Sequence, residues 1–170
     1  MRVMLFVLSA WLLLTGFAPA QESTNVVPGT LAYLDWRYGF RDLKFEQPIE
    51  ACQGMVLIED DNELKFYTRK GEPLELNGAR LKTIEYGFYK GKLATLVLVA
   101  AGEADAVPLL KSLEADYGPG QKSPRNPGKL YWFGKKVLLD YMPSPSGPVS
   151  VGMWSKPLQA LQQADKAKTD

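Results

Sequence analysis

Apolar residues are distributed along this chain in three ways, and each predicts a different kind of segment. The first is a continuous run, Val3 to Leu14, broken only by Ser9 and preceded by Arg2. With Ala18-Pro19-Ala20 behind it, the run has the layout of a cleaved export signal, so residues 1–20 are set aside from the fold and the mature chain is expected to begin at Gln21. A periplasmic or secreted location is the expectation that follows. No cysteine stands near the end of the run to be acylated, which favours a freely soluble product over a lipoprotein. The longest later apolar run, Leu93 to Ala101, is interrupted by Thr95 and is too short to span a bilayer.

The second pattern is alternation. Met55 to Ile58 is a short apolar strand, followed by the acidic turn Glu59-Asp60-Asp61-Asn62-Glu63. In Leu64 to Arg69, Leu64, Phe66 and Thr68 alternate with Lys65, Tyr67 and Arg69, which places opposite chemistry on two faces and predicts a half-buried strand. Asn77-Gly78 is the best short hairpin signal, and Lys90-Gly91 turns the strand Leu81 to Tyr89 back into Leu93 to Ala100. Later strands are expected over Leu130 to Phe133, Val137 to Met142 and Val149 to Trp154, with Gly134-Lys135 read as a type II′ turn.

The third pattern has helical spacing. Ala106, Leu109, Leu110, Leu113 and Tyr117 share one face, with Asp105 placed to cap the start and Gly118-Pro119 to stop the end. Ser155 can cap a second helix from about Lys156 to Ala167, with Pro157 in its first turn, and Gln47 to Cys52 has room for one helical turn. Hairpins with helices between and after them predict an α+β fold: an antiparallel β-meander sheet with helices packed on one face and a polar, wet face opposite. The expected organisation is a signal peptide over 1–20, an N-terminal lead-in over 21–38 and a single domain over 39–168, with no internal repeat in the sequence.

Composition then narrows the function. The precursor holds 20 basic and 19 acidic residues, and the mature chain, without Arg2, is balanced, which argues against a general nucleic-acid binder. Histidine is absent from the sequence, which removes the commonest general base and transition-metal ligand; Ser-His-Asp, Cys-His and zinc-hydrolase readings fail together. Cys52, the single cysteine, has no disulfide partner in the chain and lacks a visible activating neighbour, so it is expected to be a small buried hydrophobe. The acidic turn at 59–63 lacks the spacing and glycine of an EF-hand and reads as a solvated hairpin turn. No cofactor, metal or catalytic residue is assigned, and the chain is expected not to be an enzyme.

One stretch departs from neutrality. Between Asp116 and Asp140 there is no acid, while Lys122, Arg125, Lys129, Lys135 and Lys136 all fall there with Tyr131 and Trp132 interleaved. This is the candidate surface for an anionic envelope partner, such as a lipid headgroup or cell-wall polymer, against the plainer reading of lysines that protect a strand edge. Trp36, Tyr38 and Phe40, two apart, form either a ligand stripe on a strand or, more ordinarily, core.

The segments Gly39 to Phe45, Tyr67 to Lys70, Ile84 to Leu93, Leu113 to Gly118 and Tyr131 to Phe133 together resemble a family of small exported bacterial proteins of unknown function, over about residues 39–156. The resemblance implies an envelope or secreted origin and the same α+β order, and it carries over no functional residue. The functional expectation is therefore a non-catalytic envelope protein that binds a protein or anionic polymer through the wet sheet face or the basic hairpin. The alternative is a small-molecule or lipid carrier, with Tyr86, Phe88, Trp132 and Trp154 lining a pocket between sheet and helix.

Overall fold

A computed structural model describes residues 26–144 and 147–168; the expected export signal lies outside them. After a first helix α1 (Leu31–Arg37) come two short strands, β1 (Gly39–Phe40) and β2 (Leu43–Lys44), and a single 3₁₀ turn over Ile49–Ala51. The chain then runs through β3 (Met55–Asp61), β4 (Leu64–Arg69), β5 (Glu75–Leu76), β6 (Ala79–Tyr89) and β7 (Lys92–Ala100). Helix α2 (Ala106–Tyr117) leads to β8 (Gln121–Lys122), β9 (Leu130–Phe133), β10 (Val137–Ser144) and β11 (Gly147–Ser155), and α3 (Lys156–Lys166) closes the chain.

The main sheet has the order β3-β4-β6-β7-β11-β10-β9-β8, with β5 pairing to β6, and every pairing in it is antiparallel. The fold is thus the expected α+β class. Each half is a meander, and the second is laid down in reverse, so that β7 and β11, each the last strand of its half, meet at the centre. The turn chemistry is local and as expected: Asn77 and Gly78 have φ of 46° and 86°, which a two-residue hairpin turn demands.

Helices α1 and α2 cover one face of this sheet. Leu34 of α1 and Leu109, Leu113 and Tyr117 of α2 join Ile84, Tyr86, Phe88, Leu96, Leu98, Leu139, Val151 and Met153 in one buried cluster. The lead-in was expected to lie outside the domain, yet Leu31–Arg37 is a helix and Leu34 is fully buried. Thr30 starts it by accepting the Tyr33 amide, and Tyr38 ends it in the left-handed conformation. The aromatic stripe is dispersed in consequence: Trp36 is 59% exposed on α1, while Phe40 is buried on β1.

In strand β4 the structure decides which of the two faces is inward. Tyr67, not Phe66, meets the core and packs edge-on against Phe88, with ring centroids 5.4 Å apart, while Leu64 joins a second cluster with Tyr89, Ala94 and Leu158 of α3. Residues two apart share a face, so Phe66 and Thr68 lie on the side away from α1 and α2.

Candidate binding face

The face away from α1 and α2 is assembled by register. Phe133, Leu138, Trp154, Thr95, Gly87 and Phe66 are successive partners across β9, β10, β11, β7, β6 and β4 and form one row. A second row runs Tyr131, Asp140, Gly152, Val97 and Glu85, and a third runs Met142, Ser150, Val99 and Thr83. A polar, wet face was expected here; the strands place aromatic and aliphatic side chains on it among the polar Thr95, Asp140, Glu85, Ser150 and Thr83.

Two glycines let the rings lie flat. A Cβ on Gly152 would fall 1.9 Å from Cη2 of Trp154, and one on Gly87 would fall 2.3 Å from Cγ2 of Thr95 and 3.0 Å from Cε1 of Phe66. The Trp154 ring therefore lies across Gly152. On β9 the Tyr131 and Phe133 rings are stacked, with centroids 5.4 Å apart at 22°, and Phe133 is half exposed. Asp140 sits among these groups; its carboxylate accepts the Gly152 amide at 3.2 Å, and burial pushes its carboxyl above the usual range.

Helix α3 leans over one end of this face. Ser155 caps it by accepting the Leu158 amide, and Leu158 packs on Tyr89 and Ala94. Farther along, the Asp165 carboxylate accepts from Lys90 Nζ at 2.7 Å and from the Tyr89 hydroxyl at 3.0 Å, which holds it well below the usual carboxylate range. Between α3 and the sheet lies an apolar cleft of about 220 Å³, with Phe66, Val97 and Trp154 on its floor and Gln159 and Gln162 on its rim.

The basic candidates divide into two groups. Lys122, Arg125 and Lys129 belong to the β8–β9 hairpin, whereas Lys135 and Lys136 form the β9–β10 turn at the other end of β9, roughly 13 Å of strand away. Lys129 Nζ lies 5.7 Å from the centre of the Tyr131 ring, and Lys136 Nζ stands at the same distance from the Tyr38 ring. Trp132 cannot contribute to a surface: it is 1% exposed in the core, and its indole N–H donates to the Gly118 carbonyl at 2.7 Å.

The β9–β10 turn has an acceptor of its own. Asp35 of α1 receives the backbone N–H groups of Lys135, Lys136 and Val137 at 2.6, 2.7 and 3.1 Å. Gly134 is required here for room, not for the positive φ of the expected type II′ turn: a Cβ would stand 2.4 Å from Asp35 Oδ1. Asp35→Ala leaves three amides without their acceptor and is expected to cost about 1–3 kcal/mol, toward the lower figure because water reaches Lys135 and Lys136. Urea unfolding measures the loss, and faster hydrogen exchange at the Val137 amide assigns it to this turn.

Other ionisable groups tie elements together. Arg41 reaches Glu72 and the carbonyls of Pro73 and Glu75 at 2.9 and 2.8 Å, and the Tyr86 hydroxyl donates to Glu72 at 3.1 Å. Arg69 clasps Asp42 through two nitrogens at 2.7 and 2.9 Å. Asp105 stands at the α2 N-terminus without capping it; its carboxylate instead takes the Arg80 amide and guanidinium at 3.0 to 3.2 Å. Cys52 is buried, its Sγ lies 3.5 Å from the Pro48 carbonyl, and burial pushes its thiol up, the opposite of activation. Tyr86 and Phe88, expected to line a carrier pocket with Trp132, are filled core beneath α1 and α2; Trp154 alone of that set lines a cleft, on the other face.

Sequence reading missed Phe66, Val97, Leu138 and Phe133 as members of one surface. The signal was present: Leu93 to Ala100 is apolar at adjacent positions, and Val137-Leu138-Leu139 likewise, the mark of strands with apolar groups on both faces. Neither a known protein family, nor a curated protein, nor a solved structure matches the chain.

Proposed function

We propose that the chain is a non-catalytic exported protein of the bacterial envelope, a binding module that engages its partner through the sheet face away from α1 and α2. One observation carries this reading: a register-aligned row from Phe133 through Leu138 and Trp154 to Phe66 crosses six strands, with α3 beside its Trp154–Phe66 end and Leu31, Ala32 and Asp35 of α1 bordering Phe133. Half-exposed Phe133 and the partly buried Phe66, Leu138 and Trp154 gathered on one surface are what a binding site offers, since apolar side chains gain from being covered. The charged clusters serve structure, each closed by hydrogen bonds between elements. Basic Lys129 beside Tyr131 adds a positive margin to the face, which suits an anionic partner.

Photo-crosslinking in envelope preparations tests the proposal. A photoreactive residue at Phe133 is expected to capture a discrete partner, and the captured chain should begin at Gln21. The same group at Val107, 60% exposed on α2, should capture none. Equal capture from both positions, or none from Phe133, overturns it.

A further inference from the structure

We propose that the cleft between α3 and the sheet is a binding site for a small anionic amphiphile, a carboxylate bearing one ring or one short acyl chain. The proposal concerns the α3 end of the binding face and does not depend on whether the β9–β10 end binds a macromolecule.

The chemistry changes along the cleft in one direction. Its floor is Phe66, Val97 and Trp154, and the one hydroxyl there, on Thr95, already donates to the Met153 carbonyl at 3.0 Å. The floor therefore selects an apolar group. Its volume of about 220 Å³ exceeds the roughly 150 Å³ that suffices for benzene in a dry apolar cavity, so a ring with a short tether or a short chain fits.

Leu64 and Gln162 are shared with a larger, polar hollow of balanced charge, in which Lys90, Lys166 and Lys168 face Asp61, Glu63 and Asp165. Gln159, Gln162 and Lys166 are three and four residues apart on α3, so they form one stripe that leads from the apolar floor to the charged mouth. In that mouth Lys90 is ion-paired to Glu63 and Asp165 and Lys168 to Asp165, whereas Lys166 has no ion pair among the described residues. The two glutamine amides likewise make no hydrogen bond among the described residues. A ligand with its apolar end over Trp154 and its carboxylate toward Lys166 uses each of these groups, and an uncharged amphiphile leaves Lys166 unused.

The test is a titration of the mature protein with octanoate and with 4-phenylbutyrate, followed by NMR at the Trp154 indole and the Val97 methyls. Saturable shifts at both positions are expected, with octyl glucoside weaker. Lys166→Glu, exposed on α3, should weaken octanoate binding about fivefold, the scale of one solvent-facing charge contact reversed. Val97→Phe fills the floor and should abolish binding with the rest of the amide spectrum retained; if it fails to fold, Gln159→Trp closes the rim from the surface and should do the same. Shifts that survive the filled or closed variant, indifference to Lys166→Glu, or response only to anionic phospholipid vesicles each overturn the proposal. Capture from Phe133 reports on the far end of the face, so the two proposals fail separately.

Discussion

Replacing Trp132 with alanine is expected to cost about 3–5 kcal/mol, the range for emptying a large aromatic site in a core. That is a large part of the roughly 5–15 kcal/mol that holds an ordinary domain together. The ring has two roles. It fills the core between β9 and the turn after α2, where a Cβ on Gly120 would fall 2.8 Å from its Cζ2. Its N–H also satisfies the Gly118 carbonyl at the end of α2. Trp132→Phe separates the two, because it keeps most of the bulk and strands the carbonyl, at about 1–3 kcal/mol. Urea denaturation of both variants decides the matter: a loss below about 1 kcal/mol for Trp132→Ala would mean that the site is not the packed core described here.

Gly39→Ala is the second large effect, and it acts through the backbone. Gly39 has φ of 154°, and a Cβ there would stand 2.1 Å from the Leu43 carbonyl oxygen and 2.8 Å from the Lys44 Cα. Neither atom is a flexible side-chain end, so relief requires β1 and β2 to part. That hairpin places Phe40, Leu43 and Phe45 in the core and aims Arg41 at Glu72. A cost of about 3 kcal/mol or more is expected, at the upper end for a forced backbone conformation. A shift of the thermal midpoint no larger than that of Gly91→Ala, where a Cβ meets nothing within 4 Å, would refute the argument.

Legibility in the sequence followed the range of the interaction. Hairpins at Asn77-Gly78 and Lys90-Gly91, the Ser155 cap and the stop of α2 at Gly118 are set by neighbours within a few residues, and all are where local chemistry places them. What escaped depends on distant residues. Alternation in Leu64 to Arg69 shows that two faces exist but not which is inward, and Phe88 and Gly87 on β6 decide it by receiving Tyr67 on one side and Phe66 on the other. α1 is short enough to carry no periodic signal, and its docking rests on Leu34 and on Asp35 reaching the turn at Lys135–Val137 across the chain. The basic stretch was visible as charge, yet only the fold shows it split by β9, with Trp132 withdrawn into the core.

The central seam of the sheet has a consequence in time. Every other neighbouring pair on its main path is joined by a turn or a single loop, so each half can zip from its own hairpins. β7 and β11 meet only after everything from Gly102 to Ser144 has been bridged. Bringing those two strands together carries the largest loop-closure entropy of any pairing in the sheet, and its return is collected last. The chain therefore has two semi-independent halves that mature early and one late join, with the freshly synthesised N-terminal half exposing the β7 edge until β11 emerges.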